Sequence, residues 1–168
     1  SLMLLKAEGM TEQDYLAQRL SSATALERYL IAESLRSSRA ALVEHLEGTK
    51  ESVRQFGIKL DGKSQKSGNI IKSIEEMEMP ESSLEVELPA WLSEPQAFEE
   101  AKKTELKNLR EISNLAKSIS ESRELRKARI LIKRSGKSDT RVLAFDRHPI
   151  SLAQIRDLVQ RESDVRTL

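Results

Sequence analysis

Arg147 and His148 are side chains that can bind phosphate, and together with Asp146 they follow the unbroken apolar run Val142 to Phe145. Such a run is typical of a strand buried on both faces, and a helix is predicted to begin just after it, near Ser151. In open α/β sheets, ligands bind at the carboxyl ends of strands, where the next helix offers N–H groups to a phosphate. Arg147, His148 and Ser151 are therefore candidate nucleic-acid-binding residues. The alternative is an ordinary strand–helix turn with Ser151 as N-cap and His148 in solvent.

A second candidate site is a basic ridge in the first third of the sequence. Arg36 and Arg39 are three residues apart on one predicted helix face, and Arg28 lies two turns earlier. Cations on one helix face suit the phosphates of a nucleic-acid backbone. The competing interpretation is ion pairing with Glu33, with Glu44 or with an acidic segment farther along the chain.

The chemistry of an independent enzyme is missing from the sequence. The 168 residues include no cysteine and two histidines, which excludes disulfides and thiolate zinc sites and disfavours a histidine metal site. No phosphate-binding loop, dinucleotide fingerprint, zinc-protease motif or nucleophile elbow is present. We therefore expect the chain by itself to be catalytically inactive and to need no cofactor.

Long amphipathic helices are the main elements that the sequence predicts. The spacing of apolar residues predicts helices near 11–47 and 95–135. Thr11 to Asp14 resembles a capping box, and Ser93 to Gln96 is a second capping signature. Ser122 is predicted to cap a further helix, which Gly136 terminates. The predicted fold class is mainly α, with an acidic irregular linker and a short C-terminal strand–helix unit.

Charge divides the sequence sharply. Glu75 to Ala101 contains nine acidic residues and no Lys or Arg, whereas Lys102 to Arg147 contains fourteen Lys or Arg against six acidic residues. This asymmetry indicates either pairing between the segments or a basic face directed at a partner. The predicted organisation has four parts. They are an N-terminal helical segment (3–57), a flexible polar and acidic linker (58–93) with a mobile loop at 58–69, a pair of long helices (94–136), and the strand–helix unit (137–168).

The bulk properties favour a soluble protein. Formal net charge is +1, and no run approaches the 18 uncharged apolar residues of a membrane span. No signal peptide is recognisable, so the predicted location is the cytoplasm, without a membrane partner.

Two stretches together resemble one protein family. Arg28 to Leu42, RYLIAESLRSSRAAL, resembles the arginine-bearing segment after the first ATPase lobe of RapA-like (HepA-like) members of the Swi/Snf helicase group. Arg123 to Val159, which includes TRVLAFD and SLAQIRDLV, resembles the entry to the second RecA-like lobe of the same enzymes, and the order and spacing agree. One departure is Ser37, where relatives usually have Asn.

The resemblance implies a helical inter-lobe fragment of an ATP-dependent helicase. It would connect and orient the two motor lobes on nucleic acid, most plausibly duplex DNA, with ATP and magnesium held by other parts of the parent protein. The phosphate loop, acidic motif and arginine finger of such enzymes are absent from these residues. The apolar strand would then lack a sheet because the rest of its lobe lies outside this sequence.

Two other functions remain open. One is an independent helical interaction module that binds a protein through the acidic segment around Trp91, although Trp91 could equally belong to a small core under a loop. The other is a stand-alone nucleic-acid-binding helical protein. In either case, the unpaired edge of Val142 to Phe145 predicts self-association with a second copy, which we favour over a hairpin within the chain.

Overall fold

The computed structural model describes residues 9–60, 68–81, 86–136 and 141–163, which form α-helices joined by short connections. No β-strand is formed by these residues, so the predicted mainly α class is confirmed. The helix bounds are, in chain order, α1 Glu12–Ser37, α2 Arg39–Glu47, α3 Thr49–Phe56, α4 Ile70–Glu75, α5 Ala90–Ser93, α6 Pro95–Ser118, α7 Arg123–Ser135 and α8 Pro149–Glu162. None of these helices combines the length and apolar character needed to cross a membrane.

Local capping signals set several helix ends where the sequence predicts them. The Thr11 hydroxyl accepts the backbone N–H of Asp14 and the Asp14 carboxylate accepts the backbone N–H of Thr11, which completes the capping box. The Ser122 hydroxyl caps α7 through the N–H of Leu125, and Gly136 follows its last turn. The signature at 93–96 is displaced by one residue, because Glu94 is the N-cap of α6 and makes no side-chain cap bond.

Ser38 divides the first predicted helix into two. Its extended backbone, with φ −165° and ψ 166°, ends α1 and begins α2, and its hydroxyl accepts the N–H of Ala41. A serine that bonds the backbone in this way competes with the helix and creates a new N-terminus. The helix predicted over 11–47 is therefore two helices with a break at Ser38.

Helix α2 is the centre of the molecule. Five of its nine residues are buried, and it contacts α1, α3, α4, α6 and α8. On one side Leu42 and Leu46 pack with residues of α4 and α6, and on the other Ala40 and Ala41 pack against Ile58 and Ile150. A separate apolar cluster joins α7 to α8 and contains Ala128, Ile155 and Val159. These contacts fix α8 and the residues before it against the break between α1 and α2.

The strand predicted at Val142 to Phe145 is not formed. These residues have no regular secondary structure and pair with no other strand in the described part of the chain, and Leu143 and Phe145 are 81% and 88% exposed. A strand requires ladder partners for its N–H and C=O groups, and the residues that the structure describes supply no strand beside it. The predicted hairpin within the chain, around Gly136, is therefore wrong, since the residues before Gly136 are helical, whereas pairing of this run with a second copy stays a prediction.

The segment predicted as a linker contributes to the core at two points. Ile58 packs in the cluster beside α8, and Ile71 of α4 packs between α2 and α6. The loop prediction over 58–69 falls largely on 61–67, which lie outside the described residues. Helices α4 and α5 occupy parts of the range 58–93.

Candidate functional site

A buried polar cluster lies where the α1–α2 break meets the start of α8, and we name it the junction. Its members come from three separate parts of the chain: Ser37, Ser38, Lys127, Asp146 and Ser151. The sequence placed Ser37 in one patch of the family resemblance and Asp146 in the other. The fold brings the two patches into direct contact.

The hydroxyls of the junction form a directed chain of hydrogen bonds. Asp146 as a carboxylate only accepts, so the Ser37 hydroxyl must donate to it. The Ser151 hydroxyl, 2.6 Å from that of Ser37, must then donate to Ser37, and the Ser38 hydroxyl, 2.7 Å from that of Ser151, must donate to Ser151. Each serine hydroxyl has one proton to donate, so the direction of all three hydrogen bonds is set by the Asp146 carboxylate at the end of the chain.

Asp146 gathers donors from three directions. Besides Ser37, it accepts the backbone N–H of His148 at 3.0 Å and the Lys127 ammonium at 3.0 Å. Burial acts to raise the pKa of the Asp146 carboxyl, but the Ser37, His148 and Lys127 hydrogen bonds and the Lys127 charge outweigh it and hold that pKa below its ordinary value. The carboxylate also lies just before α8, where negative charge is favoured by the helix dipole. The ionised form is therefore the one that the junction stabilises.

A second set of charges extends the junction toward α1. The Glu33 carboxylate lies 2.9 Å from the His148 ring Nε2 and 3.7 Å from the Arg147 guanidinium. Nearby, the buried Nε2 of His45 has no hydrogen-bond partner. Burial lowers the pKa of His45, the charge of His148 lowers it further, and Glu33 opposes them. His45 is thus held in its neutral form against the core.

The predicted nucleic-acid-binding residues separate into two groups. Ser151 is fully buried within the junction, and His148 pairs with Glu33. Arg39 pairs with the buried Glu124 at 2.6 Å, and its guanidinium stacks over the Phe56 ring at 5.2 Å.

The second group remains accessible. Arg28, Arg36 and Arg147 lie on the surface, and the Arg147 side chain is 66% exposed. The proposed phosphate position before α8 is already occupied by the Asp146 carboxylate, which would repel an anion. The accessible arginines are therefore the members of the predicted set that can reach a phosphate.

The junction is built to position segments and not to react. Ser37 is 7% exposed and Ser151 0%, so neither hydroxyl can meet a substrate. No group of three or more metal-ligating side chains comes together among the described residues.

A mixed-charge cleft lies between α2, α4 and α6, with a volume of about 600 Å³. Its charges pair within the chain: Lys117 with Glu47 at 2.7 Å, and Lys72 with Glu76 at 3.5 Å. A cleft whose ionic groups already pair offers little charge to a ligand. The sequence analysis did not single out this cleft, since its residues come from three distant stretches.

Comparison with models of known protein families finds no match, and searches of curated proteins and of solved structures find no significant similarity.

Proposed function

We propose that the chain is a helical connector of an ATP-dependent, nucleic-acid-directed motor of the RapA/HepA-like type. The observation that carries the proposal is the junction, because it joins Ser37 to Ser151 across 114 residues of sequence. These residues belong to the two patches on which the resemblance depends. A buried, fully bonded contact between them would hold the arginine-bearing helix in a fixed position relative to the segment entering the second lobe.

The exposed apolar segment supports the same proposal. Leu143 and Phe145 stand in solvent although the residues that follow them are tied to the junction. An apolar run without ladder partners is suited to join a sheet in another part of a protein or in another chain. In the proposed motor, that sheet would be the core of the second lobe.

The location and partners follow from the proposal. A motor of this type would act in the cytoplasm on duplex DNA, with ATP and magnesium bound by the lobes. Pairing of Val142 to Phe145 between two copies is the proposed route to self-association of this chain when no lobe covers the segment.

Inspection of the natural reading frame tests the connector proposal directly. We expect a phosphate-binding loop upstream of this sequence and further lobe motifs downstream, in one uninterrupted frame. The full product should hydrolyse ATP when duplex DNA is added, and the 168-residue chain alone should not. A frame without the loop, or nucleic-acid-stimulated hydrolysis by the chain alone, would overturn the proposal.

The junction has its own test in the full product. Ser151→Ala interrupts the hydroxyl chain between Ser38 and Ser37, so DNA-stimulated hydrolysis should fall while unstimulated hydrolysis persists. Ser118→Ala is the matched control, because that hydroxyl bonds only the carbonyl of Leu115 on its own helix. Equal effects of the two substitutions would show that the junction does not couple the lobes.

An interaction module remains the second candidate because of Trp91. This side chain is 43% exposed on α5, next to exposed acidic residues such as Glu87 and Glu94. Trp91 is the only tryptophan, so its fluorescence reports directly on that surface. A blue shift on addition of a basic peptide, absent with an acidic peptide, would favour the module, and the connector proposal expects neither peptide to change the emission.

A further inference from the structure

Charge on α7 is sorted between its two sides. Its one acidic residue, Glu124, is fully buried and pairs with Arg39, and Lys127 turns to the junction. The other five cations are exposed, and we call them the α7 basic face: Arg123, Arg126, Arg129, Lys133 and Arg134. The inward side carries the apolar residues that pack on α8. The basic face therefore occupies most of the outward surface of a helix whose other side is already covered, and Ile130 is the exposed apolar residue on that surface.

The chain barely neutralises this face. Among the described residues, its one ion pair is Arg129 with Glu121 at 3.8 Å, and both side chains are more than half exposed, so it contributes little. Among the described residues of the acidic segment, no carboxylate forms an ion pair with this face: Glu75 pairs with Arg110 and Glu76 with Lys72. Pairing between the acidic and basic segments was one of the two explanations for their composition. In the described residues, that pairing leaves the cations of the α7 basic face without carboxylate partners from the acidic segment.

The spacing of the cations makes them repel one another. Arg123, Arg126 and Arg129 follow at intervals of three residues, and Lys133 comes four residues later. Side chains three or four apart are neighbours on a helix, and like charges in that relation cost about 0.2–0.5 kcal/mol per pair. From the first to the last cation, the row extends about 16 Å at the rise of an α-helix. An external polyanion would relieve this repulsion along the whole row.

We infer that the α7 basic face binds the phosphate backbone of a nucleic acid, independently of sequence. Four of its five cations are arginines, whose planar guanidinium groups suit phosphate oxygens. A duplex presents about one phosphate per 1.7 Å of its axis, both strands counted, so a row of this length meets several phosphates whichever base pairs it lies on. Contacts of this kind fix position and carry no base readout.

A membrane surface fits α7 less well. A helix that lies on a bilayer inserts an apolar face between the headgroups, with the basic residues around it. The apolar side of α7, including Ala128 and Leu131, is covered by α8, and the outward side offers only Ile130, which is 54% exposed. An acidic protein segment would need several carboxylates in one 16 Å row, whereas phosphates occur in such rows throughout any duplex.

The inference goes beyond the connector proposal and does not depend on it. It rests on the charge and packing of α7 alone, and it adds a surface that lies outside the arginines singled out in the sequence. A helical protein of any function with this face would bind the same ligand. Absence of a motor reading frame would leave it standing, and failure to bind DNA through α7 would leave the junction intact.

The experiment is fluorescence anisotropy of a labelled 20-base-pair duplex of mixed sequence, titrated with the chain from 50 to 200 mM salt. The test variant is Arg123→Gln/Arg126→Gln/Lys133→Gln, which keeps helix-forming side chains and removes three charges. The control variant, Arg19→Gln/Lys103→Gln/Lys107→Gln, removes three exposed charges on α1 and α6. Far-UV circular dichroism verifies that both variants keep the parent's helix content.

Five phosphate contacts predict that the parent's affinity falls roughly 500-fold over this salt range. The test variant should bind at least tenfold more weakly at 50 mM salt, and the slope of log affinity against log salt should decrease by about 3. The control should follow the parent, and a duplex of different sequence should bind equally. The inference is overturned if both variants lose the same affinity, or if the parent does not bind the duplex at 50 mM salt. It is also overturned if the parent binds poly-glutamate or phosphatidylserine vesicles more tightly than the duplex.

Discussion

The ion pair between Arg39 and Glu124 should be the most sensitive charged contact in the chain. The Glu124 side chain is 0% exposed and accepts the Arg39 Nε at 2.6 Å, and the Arg39 guanidinium also donates to the carbonyl of Ile119. This contact attaches the start of α2 to the first turn of α7. If either partner is removed, the other is left as a buried charge or an unsatisfied donor.

We predict that Arg39→Met lowers the free energy of unfolding by about 3–5 kcal/mol, because it leaves the Glu124 carboxylate buried without its partner. In a chain of this size that loss corresponds to a decrease in Tm of roughly 6–20 °C. Arg39→Met/Glu124→Met should recover most of the loss, since an apolar pair of similar volume replaces both charges. The assay is urea unfolding at pH 7, followed by far-UV circular dichroism.

Arg54→Met is the matched control. Arg54 also pairs with a carboxylate, that of Glu51, at 2.6 Å, but its side chain is 73% exposed. Loss of this exposed pair should lower the free energy of unfolding far less than loss of the buried pair, because solvent screens it. The reasoning fails if Arg39→Met costs no more than Arg54→Met, or if the double variant is as unstable as Arg39→Met. In that case the buried ion pair would not be the contribution that Arg39 makes to stability.

Four further outcomes follow from burial and charge. The free energy of unfolding should fall in two steps on acidification. The pKa of the buried His45 is lowered, so the stability that its neutral form contributes is complete above about pH 6.5 and is lost as the pH falls below that value. The pKa of Asp146 is also lowered, so the stability that its carboxylate contributes is lost below about pH 4. Circular-dichroism melts from pH 8 to 3 measure both steps, and a constant Tm between pH 7 and 5 would contradict the first. Leu46→Ala should cost about 2–5 kcal/mol in urea unfolding because Leu46 is fully buried, whereas Leu143→Asp should change the free energy of unfolding by less than about 0.5 kcal/mol. Light scattering should show that Leu143→Asp reduces self-association. If the parent is monomeric at every concentration, the proposed pairing of Val142 to Phe145 between two copies is wrong. Ser151→Ala should cost about 1–3 kcal/mol, since it leaves the proton of the buried Ser38 hydroxyl without its acceptor and takes one donor from the Ser37 hydroxyl, and a neutral result would show that the Ser38 hydroxyl finds another acceptor.

Helix positions and ends are the part of this protein that the sequence determined. Thr11 and Ser122 cap their helices, and Gly136 ends α7, as the local pattern predicts. These contacts join residues only three or four apart, so the information they need is contained in one turn of sequence. The exception is Ser38, whose hydroxyl divides a continuous apolar pattern into two helices.

The partners of the charged residues were decided by the tertiary structure. Arg39 and Arg147 look alike in the sequence, yet one is committed to a buried carboxylate and the other is 66% exposed. Nothing within a few residues of either arginine indicates this difference, because Glu124 lies 85 residues from Arg39. The basic side of α7 has the same origin, since the packing of α8 on the other side determines which cations face solvent.

The apolar run Val142 to Phe145 shows the same division most clearly. Its composition is that of a buried strand, and a strand forms only when other strands supply ladder partners. The described part of this chain has none, so the run forms no strand and is exposed. The sequence determined the propensity of these residues, but only the tertiary structure could decide the outcome, because hydrogen-bond partners for a strand come from distant parts of a chain.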